Sequence, residues 1–536
     1  MNKKNNPLTS GKRVGKFETI PFPDFKFEHY EPAFDIALKE ANDEIDEIRK
    51  DESEPTFENT IEALDSAGEL LEYVSTVYYN MVGAESNDEF KDLAQKVSPK
   101  LSAFSNSIMM DPVLFKKVKA IFDNKENLNF SKEQLRLLEK SYKGFTRNGA
   151  LLPDKEKEKL RMIDEEMSKL APKFSKNVLG ATNAFEYVTK DESELEGLPQ
   201  GAKDSAAFMA KQKKKAGWLF NLQAPSAMPV LKYAKNRELR EKIYRKFTSR
   251  AFNDNFDNQE ILKRIAVLRN QRANLLGFET HAQYTLAERM AEKPNTVMSF
   301  LDRIFEASLP KAKEELEEVK ALAKEIDGLE DFKAWDASYY SEKLRKKKYE
   351  FDAEELRPYF KADNVIAGIF KVANKMYDLN FKQIYDIPLY HKDVTTYEVT
   401  GSKGEHIGLL YIDLFPRETK RGGAWMTEFR TQGMVKGEMK RPHVAVVCNL
   451  SPATDKTPAL LQFTEARTLF HEFGHALHGL LSDCHYKTLA SPNVYWDFVE
   501  LPSQVMENWL MEEEALELFA THYKTGKVIP KDLIQK

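Results

Sequence analysis

A mainly α fold carrying small β-sheets is the class this sequence predicts. Three observations point there. Apolar residues recur at helical spacing through most of the first 180 residues, around 60–79, 93–104, 135–138 and 160–170. Long stretches that mix charge with apolar residues follow at 238–252 and 259–275. Strand character is confined to two short patches, near 184–222 and 385–450.

Taken in order, Pro32 to Leu38 lead into an acidic amphipathic helix, and Asn148-Gly149 and Leu152-Pro153-Asp154 break the helical pattern. The character changes at about residue 180, which predicts an N-terminal helical region over 1–180 and a catalytic region over 181–536. The stretches 184–188 and 218–222 are short strands, and Pro225 ends the second pattern. Gly277 stops the 259–275 helix, as a glycine past a helix C-terminus does. Residues 395–400 precede Gly401-Ser402-Lys403-Gly404, a hairpin-turn composition; 407–414 and 443–449 are further strands, and 458–480 reads as one helix.

Bulk properties narrow the function. A chain of 536 residues exceeds a single compact core. Its 80 Lys and Arg against 85 Asp and Glu leave a net charge of -5, which argues against a nucleic-acid partner. The basic runs at 211–215 and 345–348 are expected to be solvated faces. No apolar run reaches the ~18 residues of a membrane span, and none follows Lys3 and Lys4 as a signal peptide would require, so a cytoplasmic location is expected. The two cysteines, Cys448 and Cys484, are too few for a disulfide framework or a thiolate zinc site, so a metal must rely on His and carboxylates.

The chemistry gathers in Thr468-Leu469-Phe470-His471-Glu472-Phe473-Gly474-His475-Ala476-Leu477-His478. His471 and His475, four apart, share one helix face about a turn apart, so both imidazoles reach one ion. Glu472 can reach a water at that ion without ligating it; this is the H-E-x-x-H pattern of zinc peptidases. A catalytic zinc takes three protein ligands and keeps one position open. Glu500, among Phe498, Val499 and Leu501, is the candidate third ligand, because burial there would be costly without a metal bond. Asp483 is a rival by position, but follows closely among turn residues. Glu507 and Asp497 are candidate partners for the zinc histidines. His478, His485, His443 and His522 read as structural, and Trp509 and Phe498 as core.

His471 to His478, with Phe498-Val499-Glu500-Leu501-Pro502-Ser503-Gln504 after it, resembles the thimet-oligopeptidase-like zinc peptidases, which include bacterial peptidyl-dipeptidase and oligopeptidase A. Gly422-Gly423-Ala424-Trp425-Met426, Tyr411-Ile412-Asp413-Leu414, Gly277-Phe278 and the opening Asn6-Pro7-Leu8 with Phe22, His29, Tyr30, Pro32, Ala33 and Phe34 fit as well, so the resemblance spans essentially the whole chain. It implies one Zn2+ per chain on His471, His475 and Glu500, since Glu500 follows His471 at the family's interval, and Glu472 as general base. It also implies two largely helical lobes around a deep substrate channel, a small sheet beside the zinc helix, short peptides as substrates and a monomer. Such peptidases continue past the equivalent of Lys536 into a Gly- and Tyr-rich loop whose donors stabilise the tetrahedral intermediate. The expectation is therefore a whole metal site in a C-terminally incomplete active site. Peptide is expected along a sheet edge, with 407–413 or 444–449 supplying it. The leading activity is release of C-terminal dipeptides; the alternatives are an endo-acting oligopeptidase and, in another class, a non-catalytic zinc-loaded peptide-binding scaffold.

Overall fold

Helices dominate the computed structural model, which describes residues 3–11, 13–350, 352–435 and 437–535. The first part forms α1 (Phe27–Lys50), α2 (Ala63–Ser66), α3 (Glu69–Ala84), α4 (Asp88–Met109), α5 (Pro112–Asp123), α6 (Lys132–Arg147) and α7 (Asp154–Ala184). Asn87, Asp111 and Ser131 cap α4, α5 and α6 by accepting from otherwise orphaned backbone N–H groups. The family-like opening is structural: buried Asn6 donates to the His29 carbonyl at 2.7 Å, and His29 Nδ1 accepts from the Lys26 N–H at 3.0 Å at the start of α1.

A two-stranded ribbon follows, β1 (Glu186–Thr189) with β2 (Trp218–Asn221). β1 begins later than the apolar pattern suggests because α7 runs through Ala184 and buries Ala181 and Thr182 in its last turns. Next come α8 (Gln200–Gln212), α9 (Ala224–Tyr233), α10 (Arg237–Thr248), α11 (Gln259–Leu275), α12 (His281–Leu286), α13 (Pro294–Asp327), α14 (Ala334–Tyr349) and α15 (Ala362–Tyr377). α10 stops short of residue 252 because Ala251 and Asn253 take positive φ in a turn held by Asp254 and Asp257. The basic runs are charge-paired surfaces, with Lys211 on Asp455, Lys346 on Asp352 and Lys347 on Glu325.

Five strands make the sheet that positions the site: β3 (Asn380–Ile384), β4 (Thr395–Thr400), β5 (His406–Asp413), β6 (Trp425–Arg430) and β9 (His443–Val447), in the order β3-β4-β5-β9-β6. β7 (Gly433–Val435) and β8 (Glu438–Lys440) form a separate hairpin. β5 and β9 pair in parallel at the centre and are apolar on both faces. Leu410, Ile412, Val444 and Val446 face one core, with α15 and α16 (Phe463–Leu480). Leu409, Tyr411, Ala445 and Val447 face the other, with α1, α3 and α4. The sheet thus lies between the motif helix and the N-terminal helices, and each large side chain buried in either layer contributes about 1.5–3 kcal/mol.

Two sequence expectations need correction. The stretch 407–413 and the strand part of 444–449 are interior, so neither offers a sheet edge; beside α16 the edge is β6. The motif helix starts at Phe463 rather than 458, because that segment is held extended, with Leu461 N–H donating to the Phe360 carbonyl at 2.8 Å and Ala362 N–H to Ala459 at 2.9 Å. Among the described residues no helix is long and apolar enough to cross a membrane, and Cys448 and Cys484 are both free. Lys536, where the expected truncation falls, lies outside the described residues.

Candidate metal centre

The local sequence makes α16 amphipathic and starts it firmly. Glu465 accepts from the Gln462 N–H at 2.8 Å and from Ser451 N–H and Oγ at 2.7 and 2.9 Å. Phe470, Phe473, Ala476, Leu477 and Leu480 bury one face. His471 and His475 leave the helix on another face, with ring centroids 5.0 Å apart. After a connection over 481–499 that includes one 3-10 turn (Lys487–Leu489), α17 (Glu500–Asn508) packs across α16 and places Glu500 at its first residue.

The packing that brings the two helices together is very close. A Cβ on Gly474 would lie 2.6 Å from both the Pro502 carbonyl oxygen and the Ser503 Cα, so only glycine allows this approach. Gly474→Ala is expected to cost about 1–3 kcal/mol by overpacking. It is also expected to weaken metal binding, because backbone must shift next to Glu500; thermal unfolding and metal content measure the two effects.

Glu500 Oε2 lies 3.2 Å from His471 Nε2 and 3.2 Å from His475 Nε2, and all three donor atoms lie within 4.8 Å of one another. Tetrahedral zinc, with ligand bonds of ~2.0–2.1 Å, sets neighbouring donors ~3.3–3.4 Å apart. The donor set therefore fits one such ion with a position left over. Asp483 does not join the cluster. The Ser503 hydroxyl donates to Glu500 Oε2 at 2.8 Å and to its carbonyl at 2.9 Å. Glu507 Oε1 sits 2.7 Å from His471 Nδ1, which leaves Nε2 for the ion.

Three sequence expectations change here. The Glu500 side chain is 50% exposed, so convergence with the histidines, not burial among apolar neighbours, marks it. Phe498 is exposed at the surface rather than in the core. Asp497 accepts from the Met290 and Ala291 N–H groups at 3.0 and 2.9 Å and so holds the turn between α12 and α13 instead of a histidine. Ser503 was missed, although its position three residues after Glu500 on a helix was a usable signal.

Glu472 is buried beside the triad. Burial pushes its pKa up to about 7; the nearby His471 and the Met426 N–H pull it down, and Glu500 pushes it up. Burial lowers the His475 pKa, against the pull of Glu500, which favours the neutral imidazole that a metal needs. The layout is a set of metal donors with a proton acceptor alongside.

Comparison with known proteins agrees with this geometry. The profile of peptidase family M3 matches residues 230–536, more than half of the chain. The chain belongs to peptidase family M3. The dipeptidyl carboxypeptidase of Escherichia coli (strain K12) is 35% identical over 511 residues, covering 95% of this chain and 75% of the relative. Oligopeptidase A of the same strain is 33% identical over 538 residues, covering 99% and 78%. The organellar oligopeptidase A of Arabidopsis thaliana, a chloroplastic and mitochondrial form, is 34% identical over 545 residues, covering 99% and 69%. This M3 chain is a peptide-hydrolysing enzyme of metallopeptidase type.

On β6, Glu428 shares a face with Met426, towards α16, and both its carboxylate oxygens are buried without a hydrogen-bond partner. Burial pushes its pKa up to about 8; the Thr431 hydroxyl, outside hydrogen-bond geometry, opposes this and Glu72 adds to it. The folded protein thus keeps a proton that the unfolded chain releases near pH ~4.3. Stability present below that pH is lost as pH rises towards 8. Glu428→Gln is expected to stabilise the peptidase by about 1–3 kcal/mol at pH 8 and not at pH 4, read by urea unfolding at both.

Proposed function

We propose that this M3 peptidase is a peptidyl-dipeptidase that removes dipeptides from the free C-termini of short peptides, with one Zn2+ per chain on His471, His475 and Glu500. The observation that carries the metal assignment is the 3.2 Å approach of Glu500 Oε2 to both histidine Nε2 atoms. Similarity to a dipeptidyl carboxypeptidase over 95% of the chain supports the exo-acting mode. A monomer in the cytoplasm is the expected setting, and the two free cysteines support a reducing compartment.

When bound, zinc supplies Lewis acidity, which acidifies water and polarises a carbonyl. Glu472 takes the proton of the attacking water on its carboxylate and passes it to the leaving amide nitrogen. Its pKa, raised by burial to about 7, suits a group that must accept and then donate near neutrality. Glu507 and Ser503 hold His471 and Glu500 in place. The peptide runs along the outer edge of β6, beside Glu472, because β5 and β9 are interior. Asn80 closes one end of that edge by donating to the Glu428 carbonyl at 2.9 Å.

The second reading is an endo-acting oligopeptidase, favoured by the similarity to oligopeptidase A over 99% of the chain. Matched peptides with a free or an amidated C-terminus separate the two. Loss of dipeptide release on amidation is expected. Cleavage of both peptides at equal rates would overturn the exopeptidase reading and leave the endo-acting one.

A further inference from the structure

Three cations stand on the loop between β5 and β6, and acids take up two of them. Arg417 meets Asp413 at 2.7 Å and Glu85 at 2.6 Å, and the buried Lys420 meets Asp413 at 2.7 Å. Among the described residues no carboxylate pairs with Arg421, and its guanidinium donates no hydrogen bond. Its backbone is nonetheless fixed on both sides. The N–H donates to the Gly83 carbonyl of α3 at 2.8 Å, and the carbonyl accepts from Asn449 Nδ2 at 2.9 Å. Asn449 Nδ2 also donates to the Gly423 carbonyl at 2.6 Å. The Arg421 guanidinium lies 4.3 Å over the ring of Trp425, the first residue of β6, and the residue stays exposed. Stacking on an indole face leaves the N–H groups around the guanidinium rim free for a bidentate carboxylate.

The open edge of β6 leads to this cation. β9 gives its even-numbered backbone groups to β5: the Pro442 carbonyl accepts from the Leu409 N–H at 3.0 Å, and the Cys448 N–H donates to the Asp413 carbonyl at 2.7 Å. Ala445 and Val447 therefore face β6, so their partners Thr427 and Trp425 turn inwards, and Met426 and Glu428 turn their backbone groups to the outer edge. Asn80 takes the Glu428 carbonyl there, and the Met426 N–H lies towards Glu472. The stretch left over runs from Met426 back to Gly422-Gly423, where even an added Cβ would meet nothing within 4 Å. A dipeptide laid on it antiparallel to β6 spans about 7 Å. Its end then falls at Ala424 and Trp425, where Arg421 stacks.

The geometry points to Arg421 as the residue that grips the C-terminal carboxylate of the peptide and so sets cleavage two residues from that end, a role that rests on the exo-acting reading above.

Binding to the metal-loaded full chain tests it. The dipeptide Ala-Phe is expected to bind wild type more tightly than Ala-Phe amide, read by calorimetry. Arg421→Gln is expected to weaken Ala-Phe by about 10–100-fold, the scale of a lost hydrogen bond to a charged group, and to leave Ala-Phe amide where it was. Arg421→Lys is expected to recover part of the preference, because it restores the charge without the planar fork. Equal weakening of both ligands in Arg421→Gln, an undiminished preference in that variant, or equal binding of the two by wild type would each overturn the proposal. The cleavage assay with free and amidated peptides keeps the failures apart. If amidation stops dipeptide release by wild type while Arg421→Gln keeps its preference, only the role of Arg421 falls; if amidation changes nothing, the exopeptidase reading falls as well.

Discussion

Glu472→Gln is expected to lower kcat for peptide cleavage by about 10^3-fold, within the range for loss of a positioned general base, while metal content stays at one per chain. The physical case rests on position. Glu472 follows His471 directly, yet its side chain is buried towards β6, whereas His471 and His475 turn to Glu500. Glutamine keeps the size and loses the ability to accept a proton and deliver it. The imidazoles and Glu500 are untouched, so metal affinity should hold. Paired measurements of metal by mass spectrometry and of cleavage by chromatography decide it. Retained cleavage with retained metal would remove Glu472 from the mechanism.

Glu500→Ala is expected to empty the site. It removes the donor that lies 3.2 Å from both histidines, and it leaves the Ser503 hydroxyl without its carboxylate acceptor. Loss of a partner behind a metal-binding histidine costs 10–100-fold in affinity or activity, and loss of a direct ligand should exceed that. Glu507→Gln is the internal comparison, because Glu507 meets the far nitrogen of His471 and the Arg467 guanidinium rather than the nitrogens that face Glu500. The expected order of metal affinity is wild type, then Glu507→Gln, then Glu500→Ala, read by competition with a chelator. Unchanged occupancy in Glu500→Ala would strike Glu500 from the ligand set.

These two residues also show how far the sequence alone reached. The helical period is a local property, so His471, Glu472 and His475 were legible from their spacing. Glu500 was the best of several carboxylates until the interval of the resembled family selected it, and the exposure of its side chain shows that the burial argument for it was wrong. The mainly α class was legible because amphipathic periodicity repeats over many turns. Element ends were less so: α10 and α16 differ from the expected bounds where positive-φ residues and backbone bonds between segments distant in sequence intervene.

What the sequence by itself determined is the helix, its two imidazoles, the carboxylate beside them and the kind of chemistry they serve. The tertiary structure decided what depends on contacts far apart in the chain. It chose Glu507 over Asp497 as the support of His471, made β6 rather than β5 or β9 the edge beside the site, and brought α17 onto α16 through the missing side chain of Gly474. The physical reason is range. Helical spacing is set within a few residues, but a carboxylate 29 positions away reaches the two imidazoles only after two helices have packed.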